Sequence, residues 1–87
     1  MSQDRNRITL PSPHGDVVGQ RVLDGSGNQV WEFALPEGDE RFYGSRPEAL
    51  RTMKSLILDY AQADGLDEDH LGRPLKATLR GHDGYAI

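Results

Sequence analysis

Three histidines stand beside aspartates in this chain: His14 near Asp16, His70 after Asp69, and His82 before Asp83. A His–Asp pair can exchange a proton with a substrate or supply two ligands to a metal. All three pairs fall in segments expected to be loops, where His and Asp are common turn residues. A small domain also offers only shallow sites for tuning a pKa. No serine sits in a nucleophile-elbow pattern, and no lysine sits in an apolar run that would lower its pKa. The sequence therefore points to a non-enzyme with no catalytic residue, no metal ligand set and no cofactor. The absence of cysteine excludes disulfides, thiolate metal sites and cysteine nucleophiles.

Two other patterns could bind ions. Gly25-Ser26-Gly27 is glycine-rich, but it joins two expected strands and lacks the helix N-terminus that would face a phosphate. Asp67-Glu68-Asp69 with Gly72 imitates the start of a calcium loop. The twelfth position, however, holds Thr78 where an acid is required.

Surface charge is more productive. Lys76 and Arg80, with Thr78 between them, are expected on one face of a final strand flanked by Arg73 and His82. Such a basic stripe suits phosphates or an acidic protein patch. Arg46, Arg51 and Lys54 occupy the first half of an expected helix, where the macrodipole disfavours cations by a few tenths of a kcal/mol. Leu58 shares a flank with Arg51 and Lys54, and an exposed leucine beside two cations can anchor a partner carrying acidic and apolar groups. The acidic loop bearing Asp67, Glu68 and Asp69 is a third candidate surface.

These residues must be held by a small fold. The 87 residues allow one domain spanning 1–87, with residues 1–6 expected to be flexible. Residues 7–10 alternate polar and apolar and predict a first strand, which Pro11-Ser12-Pro13 ends. Residues 17–23 predict a second strand. After the Asp24–Asn28 loop, residues 29–35 predict a third, with Trp31, Phe33 and Leu35 on one face. A turn over residues 36–39 leads to an expected fourth strand at 40–44. Ser45-Arg46-Pro47-Glu48 has the capping-box pattern, with the proline in the first turn, where its missing N–H costs nothing. Ala49, Leu50, Met53, Leu56, Ile57 and Tyr60 then make one apolar stripe, and Asp64-Gly65 ends the helix. Leu75 to Arg80 alternates strictly and predicts a closing strand with Leu75, Ala77 and Leu79 inward. An Asp83-Gly84 turn follows it. The expected class is α+β: an antiparallel sheet of three to five strands with one amphipathic helix on one face, in the order β-β-β-(β)-α-β.

The 36% hydrophobic content leaves little material for a deep dry pocket, and the net charge of −4 disfavours nonspecific adhesion to nucleic acid or anionic membrane. The polar residues 1–7 lack the apolar run of a signal peptide, and no stretch approaches the ~20 apolar residues of a membrane span. A cytoplasmic location is expected.

Trp31 on a hairpin strand, Ser45-Arg46-Pro47-Glu48-Ala49 at a helix start, and Gly81-His82-Asp83-Gly84 in a closing turn recur in one known setting. In them the chain resembles small uncharacterised bacterial β-β-α-β domains. That resemblance implies a fold and no activity. The chain departs from it in its longer loop over 64–74 and its extra N-terminal strands.

The expected function is binding to another protein through Arg51, Lys54, Leu58, Lys76, Arg80 and the loop Asp67, Glu68, Asp69. One alternative is an inhibitor encoded by a phage or mobile element, anti-CRISPR-like, that occupies a basic nucleic-acid channel with Glu37, Asp39, Glu40 and the loop over 64–69. Another is nucleic-acid binding through Lys76 and Arg80. An unpaired edge strand at 7–10 would permit a homodimer.

Overall fold

The computed structural model describes residues 5–35 and 38–85. Four strands, β1 (Arg7–Leu10), β2 (Val17–Leu23), β3 (Gln29–Leu35) and β4 (Gly38–Tyr43), form one antiparallel meander in sequential order. Helix α1 (Arg46–Ala63) and a short helix α2 (Leu75–Arg80) follow. The architecture is α+β.

Alternation along each strand decides which face is covered. Ile8, Leu10, Val17, Trp31 and Phe33 face inward and join one buried cluster with Ala49, Met53 and Ile57 of α1. The register aligns Ile8, Gly19 and Phe33 across three strands. Gly19 supplies space there, because a Cβ would fall 2.6 Å from Phe33 Cζ and closer still to Cε2 and Cδ2. The other face carries the exposed Gln20, Ala34 and Arg41. On it Arg41 pairs with Glu32 at 2.6 Å across the β3–β4 ladder. Asp24 orders the β2–β3 loop: its Oδ1 accepts from the Ser26 and Asn28 amides, and its Oδ2 accepts from Tyr43 Oη. Those bonds, the Asn28 amide foremost, hold its pKa below the usual carboxylate value.

The helix starts as its sequence dictates. Ser45 is the N-cap, its hydroxyl accepts from the Glu48 amide, and Pro47 lies in the first turn. The buried face of α1 is Ala49, Met53, Ile57 and Ala61, with Leu50, Leu56 and Leu58 packed beside it. Ala61, one turn beyond Ile57, is also inside.

Three expectations are corrected. The strand expected at 75–80 is helix α2, and Ala77 shows why: it is exposed while Leu75 and Leu79 are buried. An i, i+4 leucine pair satisfies both periods, but an inward strand would also bury Ala77. Strand β4 begins earlier than expected, since Gly38 and Asp39 already pair with Leu35 and Ala34. Pro36 and Glu37 of the expected turn lie outside the described residues, as do Ala86 and Ile87. The edge of β1 is not bare, because Thr9 N–H donates to Gly84 O at 2.7 Å. Among the described residues no helix is long and apolar enough to cross a membrane.

Candidate functional site

The end of α1 determines where the loop residues stand. Gly65 adopts φ +71°, Leu66 N–H reaches back to Ala61 O at 2.6 Å, and Gly65 N–H reaches Gln62 O at 3.2 Å. This is a Schellman motif, in which a left-handed glycine lets the chain reverse while the last carbonyls stay bonded. The reversed chain then closes on itself: Leu75 N–H donates to Asp67 O at 2.9 Å, and Asp69 N–H donates to Arg73 O at 2.8 Å.

Asp69 holds that loop from within. Its Oδ1 accepts from the Leu71 and Arg73 amides at 2.9 and 3.0 Å, and its Oδ2 accepts from Arg73 Nε at 3.1 Å. The residue is 5% exposed. The Arg73 amide chiefly, with further bonds to Leu71 and the Arg73 guanidinium, outweighs desolvation and lowers its pKa. Asp69 was expected on a partner surface and is instead an internal fastener. Asp67 and Glu68 remain exposed on the outside of the loop.

The loop brings α2 alongside α1 and creates a groove of about 480 Å³. Leu58, Ala61 and Gln62 of α1 form one wall, with Asp67, Pro74, Leu75 and Lys76 opposite. Three residues singled out from separate segments, Leu58, Asp67 and Lys76, therefore meet. Leu58 is not the free anchor expected of it: it is half-buried and packs on the core, because α2 covers this side of α1. Lys76 and Arg80 are both exposed and one helical turn apart, so they share a face of α2 as they would have on a strand. Arg51 is exposed on α1 away from this groove's lining. Lys54, half-buried, lies close enough to His82 for its charge to disfavour that residue's protonation.

A second groove, about 450 Å³, gathers Asp16, His70, Arg73, His82 and Tyr85. His70 Nδ1 lies 3.2 Å from Ser12 O and donates to it, which leaves Nε2 facing Asp16 Oδ1, 3.8 Å away. His82 has the opposite tautomer, its Nδ1 accepting from the Gly84 amide at 2.9 Å. The His70–Asp69 pairing suggested by adjacency does not form; Asp16 takes that place, and only the fold could reveal it. His14 lies elsewhere, in a small apolar cleft with Leu35, Tyr60 and Leu66. Among the described residues no group of three or more His, Asp or Glu is arranged to hold a metal ion. The Thr78 hydroxyl, which also lines this groove, donates to Pro74 O at 2.9 Å.

No family model, no curated protein and no solved structure matches this chain.

Proposed function

We propose that this domain binds another protein through the groove between α1 and α2. One observation carries the reading: Leu58, Asp67 and Lys76 come from three different segments and converge on a groove whose remaining lining is largely apolar. An apolar cleft with a polar rim is the arrangement in which a partner's side chain gains most from burial. Lys76 beside the cleft and Arg80 one turn on favour a partner segment that couples an apolar anchor to acidic groups.

The test is affinity capture with the native chain and with a Leu58→Asp, Lys76→Glu double variant, each checked for fold by circular dichroism and melting. A protein held by the native chain and lost by the folded double variant supports the groove. Identical captured sets would overturn it. Capture of nucleic acid, lost on raising the salt and on Lys76→Glu plus Arg80→Glu, would replace this reading with the nucleic-acid one.

The inhibitor reading has one observation in its favour. Leu35, at the end of β3 that leads to β4, lines the same cleft as Asp64 and Leu66. The start of β4, with Asp39, and the acidic loop therefore stand at one end of the domain. Asp39→Lys with Asp67→Lys should abolish binding to a basic target if this is the functional surface. Glu37, another acid of that set, lies outside the described residues.

A further inference from the structure

Residues 81–85 lie along the outer edge of β1. Thr9 N–H donates to Gly84 O at 2.7 Å. Gly84 is buried with φ +83°, and a Cβ there would come within 3.0 Å of Ile8 Cγ2 and 3.1 Å of Leu50 Cδ1. Only glycine fits both the backbone angle and the gap. Arg46 straps the segment down. Its Nη1 donates to Asp83 O at 2.9 Å, its Nη2 donates to Arg7 O at 3.4 Å, and its guanidinium carbon lies 4.1 Å from the centre of the Tyr85 ring. The sheet edge is thus covered by the chain's own last turn.

The shape of that turn depends on two side-chain acceptors in succession. Gly84 N–H donates to His82 Nδ1 at 2.9 Å, and Tyr85 N–H donates to Asp83 Oδ1 at 3.0 Å. The first bond has a condition that the second lacks: an imidazole nitrogen accepts only while it is unprotonated. We propose that residues 81–85 are a proton-released strap, in which protonation of His82 converts Nδ1 from acceptor to donor, expels the Gly84 amide, and frees the β1 edge from Gly84 O.

The charges around His82 come from three elements. Asp83 on the strap and Asp16 from the β1–β2 loop favour the imidazolium, while Lys54 from α1 opposes it. His70, Arg73 and Tyr85 line the groove that His82 also borders. Burial is the largest influence and lowers the pKa of His82 below 6.5. The seated strap therefore prefers neutral His82. Its stability is complete above pH 6.5 and falls as pH drops below 6.5 toward the lowered value, because the released form takes up the proton first. With an ordinary imidazole in the released form, opening at about pH 5 is favoured at most about 30-fold over opening at neutral pH. An opened β1 would present a row of backbone groups to another strand.

Amide hydrogen exchange by NMR, from about pH 7.5 to about pH 5 and corrected for intrinsic exchange, tests the strap. Thr9 and Gly84 should lose protection several-fold on acidification, while Trp31 in the interior strand β3 keeps its own. His82→Asn places a side-chain carbonyl where Nδ1 was, accepts from the Gly84 amide at every pH, and should hold Thr9 protected throughout. His70→Asn should leave the native response unchanged. In the unsubstituted chain the imidazole titration midpoint of His82 should coincide with the loss of Thr9 protection, a readout that needs no variant to fold. The strap is refuted by Thr9 protection that ignores pH, or that falls in step with Trp31. An undiminished response in folded His82→Asn would equally refute it.

Discussion

Gly19→Ala is the most exacting test of the core, because it adds one methyl group at a buried position whose space the Phe33 ring already fills. Gly19 sits between Ile8 and Phe33 in register, and the Phe33 ring occupies the space a Cβ would need. Phe33 is fully buried and packs against Phe42 at 5.7 Å between centroids, so the ring cannot swing into solvent. Overpacking of this kind costs about 1–3 kcal/mol. Replacing glycine in a strand returns about 0.5–1 kcal/mol of chain entropy. The net loss is about 0–2.5 kcal/mol, centred near 1, and a domain this size melts ~4–8 °C lower per kcal/mol, giving a fall of up to about 20 °C. Urea and thermal unfolding followed by fluorescence of Trp31, the single tryptophan and a buried one, reads it directly. Phe33→Leu should relieve the clash, so the double variant should be more stable than the sum of the two single losses, by about 0.5–3 kcal/mol. A stabilised Gly19→Ala chain, or strict additivity with Phe33→Leu, would refute the stacking of ring on glycine.

Other substitutions probe the remaining elements. Ala77→Lys should change stability by less than about 0.5 kcal/mol because α2 leaves Ala77 exposed, whereas Leu79→Ala should cost about 2–5 kcal/mol; equal losses in urea titrations would restore the strand. Arg46→Gln removes the carbonyl bonds to Asp83 and Arg7 and the contact with Tyr85, and should destabilise by about 1–3 kcal/mol while raising exchange at Thr9 even at neutral pH. Asp24 and Asp69 both have pKa values below the usual 3.8, so the stability each supplies is present above that pH and is lost as pH falls through its lowered value. Asp24→Asn and Asp69→Asn should each flatten the acid limb of a stability–pH curve, and an unchanged limb in both would mean that other groups govern acid unfolding.

Strands β1 to β3 and the start and end of α1 were legible because local chemistry fixes them. Trp31, Phe33 and Leu35 alternate, Ser45 and Pro47 begin a helix, and Gly65 can only end one. The segment Leu75–Arg80 was not, since Leu75 and Leu79 satisfy both the helical and the strand period and six residues give neither a second cycle in which to differ. Asp69 was equally opaque. Its composition-level identity is an acid among acids, and only the closing of residues 67–75 turns its carboxylate inward to four donors of Leu71 and Arg73. The His70–Asp16 approach joins residues far apart in sequence, so no spacing could have announced it.

Helix α2 also builds the candidate site. A strand at 75–80 would have extended the sheet and left the Leu58 flank of α1 open to solvent. As a helix the same residues turn Leu75 and Leu79 into the core and set Pro74, Leu75 and Lys76 opposite Leu58 and Gln62. This explains why Leu58 is half-buried, and why its groove partners come from the loop and α2 and not from its helical neighbours Arg51 and Lys54. The thin core of a short chain is completed by a second helix of only six residues, whose attachment depends on the Asp69 loop. Loosening that loop should therefore open the groove before it unfolds the sheet. In Asp69→Asn, amides of α2 should exchange faster than those of β3 under native conditions, and simultaneous exchange of both would show that groove and sheet form one cooperative unit.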